Sequence, residues 1–184
     1  MNIDFVSAKA SDADAIAALR HRIWAATYRG VYPDAVIDDF DYARHRQRDL
    51  EKISDPSFTV YLIRHGEEDI GYFMFQDADA GLWLRSLYVL REYQHRGIGK
   101  QAFSILKDYC REKGIRRFAC GCSPHNENAM LFYQRMGGVV VKTDTGHENR
   151  QEDGVIFEFD ADLFDRRRPD RSAASTSAEH TNQI

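Results

Sequence analysis

Hydrophobic and polar positions change period several times along the 184-residue chain, and each change marks an element. Residues 3–6 form a short apolar run and predict a first strand. Ser11-Asp12-Ala13-Asp14 has the form of a capping box. Ile16, Leu19, Ile23 and Thr27 follow at helical spacing, so a helix is predicted over 12–27. A loop containing Tyr28 and Tyr32 then reaches Pro33, which suits the first turn of a second helix. That helix is expected to pass through Val36, Ile37 and Phe40 towards Leu50, acidic at first and then basic, with Pro56 closing it.

From Phe58 the pattern turns β-branched and aromatic, predicting strands over 58–63, 70–75 and 82–89 joined by polar turns. Over 99–113, Ala102, Phe103, Leu106, Tyr109 and Cys110 share one helical face, and Gly114 stops it. A strand over 115–122 follows. A helix over 126–136 then turns Ala129, Phe132, Tyr133 and Met136 inward, and two closing strands lie at 139–141 and 155–159. The order β-α-α-β-β-β-α-β-α-β-β predicts a mixed α/β (α+β) sheet protein. Residues 1–164 are expected to be one domain. Residues 165–184, with Arg166-Arg167-Arg168-Pro169 and an aperiodic Ser/Ala/Thr run, are expected to be a disordered tail.

Composition narrows the classes. A hydrophobic content of 43% is that of a globular chain, and no apolar run is long enough for a membrane span. No secretory signal is visible at the start. Three cysteines, Cys110, Cys120 and Cys122, do not suggest a disulfide framework, so a cytoplasmic location is expected. The net charge of −4 argues against nucleic acid as a partner. It is uneven, however: residues 1–80 carry 15 acids and 9 bases, whereas residues 85–117 carry 9 bases and 3 acids.

The basic region contains the informative stretch, Leu87-Tyr88-Val89-Leu90-Arg91-Glu92-Tyr93-Gln94-His95-Arg96-Gly97-Ile98-Gly99-Lys100. It leaves a strand, crosses a loop with two glycines and enters a helix. Glycine lets backbone approach an oxyanion, and a helix start presents unpaired N–H groups and the positive dipole end. The dinucleotide fingerprint fails, because no glycine lies two residues before Gly97, and the P-loop pattern is absent. Taken alone, the loop fits a plain strand-to-helix turn equally well. Cys120-Gly121-Cys122 with His125 lacks a complete ligand spacing, so no metal is expected.

Gln94-His95-Arg96-Gly97-Ile98-Gly99 resembles the (Gln/Arg)-x-x-Gly-x-(Gly/Ala) signature of the GCN5-related N-acetyltransferases (GNAT). Leu87-Tyr88-Val89 is similar to that family's bulged central strand. Asn126-Glu127-Asn128-Ala129-Met130-Leu131-Phe132-Tyr133, with Gly137, resembles its second signature. The resemblance implies a GNAT-like acyl-CoA N-acyltransferase fold, splayed into a V, that takes acetyl-CoA as co-substrate. It implies that Leu87, Tyr88 and Val89 hold the acetyl and pantetheine groups, the first and last of them through backbone. Gln94, His95, Arg96, Gly97, Ile98, Gly99 and Lys100 would form the pyrophosphate loop, with Asn126 on the pantetheine. Tyr133 is implied as the catalytic donor to the leaving thiolate, and Trp24, Tyr28 and Tyr32 as the acceptor wall. The activity implied is transfer of acetyl to a primary amine in a ternary complex. The acid-rich first segment adds the expectation of a small, cationic acceptor. A homodimer is also open on this resemblance.

Three positions depart from the family pattern. Trp83 stands where many members carry a glutamate base, Arg91 where Pro is usual, and Gly138 where Phe is common. Asp34, Asp77, Asp79 and Glu158 are the candidate bases by chain position, and none stands out. A catalytically weak acyl-CoA-binding protein on the same fold is therefore the alternative reading.

Overall fold

A computed structural model describes residues 2–161. The expected tail at 165–184 lies outside the described residues. Strands β1 (Asp4–Ser7), β2 (Phe58–His65), β3 (Glu68–Ala78), β4 (Gly81–Val89), β5 (Arg117–Cys122), β6 (Val139–Asp144) and β7 (Gly154–Asp160) form one sheet in the order β1-β2-β3-β4-β5-β7-β6. Helices are α1 (Ala13–Tyr28), α2 (Ala35–Asp38), α3 (Tyr42–Ser54), α4 (Ile98–Lys113) and α5 (Glu127–Arg135). This is the mixed sheet expected from the sequence, antiparallel throughout except where β4 meets β5. Among the described residues no helix is long and apolar enough to cross a membrane.

The second helix departs from expectation. It breaks at Asp39-Phe40-Asp41 into α2 and α3. Aspartates compete for backbone N–H groups and favour caps over helix interiors. Asp41 does so, accepting from the Arg44 N–H at 2.9 Å and starting a new helix. The break turns Phe40 inward, stacked on His45 with centroids 4.2 Å apart.

Alternation along β3 divides the core into two layers. Tyr72 faces α1, where the Arg20 Nε donates to its hydroxyl at 3.0 Å. Phe75 faces the other way, against Tyr109 of α4. On that second side Phe103, Phe118 and Phe159 are all buried, Phe118 and Phe159 stacked at 4.7 Å. Complete burial of one such ring contributes about 1.5–3 kcal/mol. Gly138 is explained here: a Cβ on it would lie 2.8 Å from the Phe159 ring and 3.0 Å from that of Phe157. Rings from β7 occupy the space a side chain at 138 would need.

Candidate active site

The centre of the sheet opens at β4. Its ladder with β3 passes from Met74↔Ser86 to Phe75↔Leu84, leaving Arg85 as an extra residue, a β-bulge. The parallel ladder with β5 ends at the same place: Leu82, Trp83 and Leu84 pair with Phe118, Ala119 and Cys120, and no pairing continues beyond. From there β4 stays with β3 while β5 stays with β7 as far as Cys122↔Val155. The two halves of the sheet therefore diverge, which is the V that the resemblance implies.

Register decides which backbone groups face the gap. The Leu90 N–H donates to the Ile70 carbonyl at 2.8 Å. Hydrogen-bonded pairs alternate in an antiparallel ladder, so Tyr88 and Tyr72 form the next such pair and the groups of Leu87 and Val89 are turned away from β3. The Val89 carbonyl accepts from the Gln94 side-chain Nε2 at 3.0 Å, which ties the following loop to the strand end.

That loop runs through one 3₁₀ turn, Arg91–Tyr93, into α4. Arg91 opens this turn, where proline is usual in the family. His95 takes φ 61° and Gly97, the N-cap of α4, φ 83°. No side chain caps the helix, so the first N–H groups, at Ile98, Gly99 and Lys100, are left for another acceptor. A Cβ at Gly97 would point into open space, so what requires glycine here is φ and not crowding. Gly99 is the opposite case: a Cβ there would lie 2.8 Å from the Phe132 ring of α5. The two glycines of the loop thus serve conformation and close packing in turn. Ile98 is buried, His95, Arg96 and Lys100 are exposed, and the Arg96 guanidinium lies over the Tyr93 ring at 5.4 Å.

On the opposite wall, Asn126 caps α5 by accepting from the Ala129 N–H at 3.1 Å, which accounts for the Asn-x-x-Ala spacing. Its side chain lies close to the Tyr28 hydroxyl. Tyr133 is buried with its hydroxyl beside the Cys120 thiol. Burial first, then Cys120, Cys122, Tyr88 and Tyr28, push its pKa well above the usual phenol range. Tyr28 stacks on Tyr32 at 4.4 Å, and burial likewise raises the Tyr28 and Tyr88 hydroxyls. Four tyrosines from α1, the following loop, β4 and α5 thus converge where the gap opens. Of the thiols nearby, that of Cys120 is buried and that of Cys122 half-buried, the latter being pushed up to about 12 by desolvation.

Next to this cluster, on the α1 and α3 face of β4, lies a cavity of about 440 Å³. Helix α1 supplies Arg20 and Trp24, α3 supplies His45, Arg48 and Lys52, and β4 supplies Arg85, Ser86 and Tyr88. Arg20 is buried and makes a two-point ion pair with buried Asp49, at 2.7 and 2.8 Å. Arg85 reaches from the bulge to the Gln76 side chain and lies over the Trp83 ring. The Trp24 indole N–H is buried and, among the described residues, has no hydrogen-bond partner; the Tyr88 hydroxyl is near it but out of bonding geometry. Tyr88 joins this cavity to the Tyr133 cluster.

Of the expected acceptor residues, Trp24 lines the cavity, while Tyr28 and Tyr32 stand at the gap. None of the candidate bases lines it. Asp34 pairs with Arg29, Asp77 accepts from the Tyr109 hydroxyl, Glu158 pairs with Arg117, and Asp79 sits in the exposed β3–β4 turn. Arg20, His45, Arg48, Lys52 and Arg85 were not among the sequence candidates. Part of this was visible as spacing: His45, Arg48 and Lys52, three and four apart, share one helical face within the basic stretch.

Comparison with known proteins agrees with this geometry. The model of the Acetyltransferase (GNAT) family matches residues 17–138. A protein described as an uncharacterized N-acetyltransferase in the pepI 3' region of Lactobacillus delbrueckii subsp. lactis is 32% identical over 94 residues, 47% of this chain and 54% of that one. That alignment spans only about half the length of either protein. Among solved structures, PaiA N-acetyltransferase from Thermoplasma acidophilum in complex with coenzyme A has a TM-score of 0.76 at 22% identity, covering 87% of this chain and 99% of its own. An acetyltransferase from Thermus thermophilus has a TM-score of 0.65 at 24% identity, covering 87% and 97%. These two likenesses establish the fold.

Proposed function

The chain belongs to the GNAT acetyltransferase family, and from that membership and the open sheet we propose that it is an acetyl-CoA-dependent N-acetyltransferase acting on a primary amine. Residues 1–164 are its domain in this reading. The observation that carries it is the coincidence of the split β4–β5 ladder, the outward backbone of Leu87 and Val89, and the uncapped start of α4 at Gly97.

These features fit acetyl-CoA. Leu87 and Val89 offer a strand edge to the pantetheine amides. Residues 94–100 offer N–H groups, the dipole end of a 16-residue helix and two exposed cations to the pyrophosphate. When bound, acetyl-CoA supplies a thioester whose carbonyl accepts a nucleophile and whose thiolate departs. The Val89 N–H faces the side where negative charge develops on the carbonyl oxygen. Tyr133 keeps its proton at every working pH, because its pKa is raised, and so serves the thiolate as a hydrogen-bond donor.

Direct transfer from donor to amine is supported by the cysteines. Burial raises all three thiols, and a neutral buried thiol is a poor nucleophile. An amine near its ordinary pKa of about 10.4 must lose a proton before it attacks. His45, at the cavity, has its pKa lowered by burial and by Arg20, which favours its neutral form.

Steady-state CoA release with a panel of primary amines tests the proposal. Turnover of at least one amine is expected. Tight acetyl-CoA binding without turnover of any amine would instead favour the acyl-CoA-binding reading, for which Trp83 in place of the usual glutamate is the motive.

A further inference from the structure

We infer that the acceptor is an amine that also carries an acid group, a carboxylate or a phosphate-like anion, and that the cavity between α1, α3 and β4 holds that group. The inference rests on the acetyltransferase reading and names the substrate class of the same site. The cavity wall presents four formal cations, Arg20, Arg48, Lys52 and Arg85. One carboxylate offsets them: Asp49, buried and committed to Arg20 through both oxygens. Three positive charges therefore remain around about 440 Å³, enough room for a molecule of amino-acid size.

Arg20 is bonded to Asp49 and Tyr72, and Arg85 to Gln76, whereas Arg48 and Lys52 have no hydrogen-bond acceptor among the described residues. The Trp24 indole N–H is buried and unpartnered among the described residues. Arg48 is exposed on α3, one turn from Lys52. Burial and the field of Arg20, Arg48 and Arg85 lower the Lys52 pKa, as a surplus of neighbouring cations must. His45 is shifted in the same direction for related reasons. Adding a polyamine would place like charges together in a partly closed space, whereas an anion relieves the repulsion.

Acidic segments elsewhere do not change this balance. Asp14 pairs with Arg46, Asp34 and Asp38 pair with Arg29, and Asp69 pairs with Arg64, all away from the cavity. Position completes the argument. Ser86 and Tyr88 line the cavity and flank Leu87, whose backbone faces the gap. An acceptor anchored by its acid group at Arg48 and Lys52 extends its amino group toward that strand.

The test compares kcat/KM for α-amino acids and aminoalkyl phosphonates with that for spermidine and uncharged alkylamine analogues of equal length. Acid-bearing amines are expected to be favoured by about tenfold or more, the amino acid and phosphonate arms identifying which anion is preferred. Arg48→Glu, an exposed change, should raise KM for the favoured acid-bearing amine by about tenfold or more and leave acetyl-CoA affinity within about twofold. Lys52→Ala should do the same to a smaller extent. Preference for spermidine, or an unchanged KM in both variants, overturns the inference and leaves the acetyltransferase reading standing. Failure of the wild-type protein to bind acetyl-CoA by calorimetry overturns both.

Discussion

At the end of β4 the chain turns backbone toward one neighbour and side chains toward another. Toward β5 it offers the N–H and C=O groups of Leu87 and Val89, followed by the N–H groups that start α4. Toward α1 and α3 it offers Arg85, Ser86 and Tyr88, set among cations contributed from residues 20–52. In the proposed function the first surface would suit any CoA thioester, since main chain reads a common scaffold. The second suits one acceptor class, because side chains set its charge. A donor site can therefore keep its signature while the acceptor site varies freely beside it.

The largest expected effect lies on the donor side. Gly97→Glu places a side chain at φ 83° and a carboxylate at the anion site, and should remove detectable acetyl-CoA binding by calorimetry without unfolding the chain. Retained affinity would detach the loop from the donor. Next comes the buried pair behind the acceptor cavity. Asp49→Ala leaves the Arg20 guanidinium buried and uncompensated, which costs about 3–5 kcal/mol in chemical denaturation. A loss below about 1 kcal/mol would mean that the wall does not depend on this pair. Tyr133→Phe sits between the two sides. It should lower kcat by about tenfold to a hundredfold while the acetyl-CoA dissociation constant holds within about threefold. Equal losses in both would make Tyr133 a packing residue.

The smallest effect lies in the β6–β7 connection, which does not line the cavity. Asp153 is buried in the β6–β7 connection and accepts from His147 N and Nδ1 at 3.0 and 2.9 Å, and from His125 Nε2 at 2.8 Å. The His147 N–H and these rings hold its carboxyl well below the usual range, and Asp153 in turn raises His147. The Asp153 contribution is full above the ordinary carboxyl value of about 3.9 and is lost as pH falls through its depressed value. The His147 contribution is full below about 6.5 and is lost as pH rises through its raised value. The melting temperature should therefore peak between about pH 4 and 6.5, and Asp153→Asn should flatten that profile.

How far the sequence could be read differed between these places for a physical reason. Gln94, Gly97 and Gly99 lie within one short segment, and Asn126 and Tyr133 lie within one helix and its cap. Two of them obey strictly local rules, a positive φ at Gly97 and an N-cap at Asn126. The acid-rich count over residues 1–80 suggested an acidic surface there, yet the cavity between α1, α3 and β4 is lined by cations. A net charge says how many acids a segment has. It does not say that Asp34 and Asp38 will close on Arg29 while Arg48 and Lys52 face inward. The split of the second helix was similarly hidden, since apolar spacing ran through Phe40 and the three nearby aspartates overrode it.

Sequence by itself therefore determined the order of strands and the family, and marked the glycine loop that opens α4, because periodicity, glycine and helix caps act over a few residues. Only the tertiary structure decided which charges gather between α1, α3 and β4. It brought Arg20, Arg48, Lys52 and Arg85 from two helices and a bulge to one cavity, and it satisfied one of them with Asp49. Charge acts through space, and the distances that set its sign at a site exist only after the chain has folded.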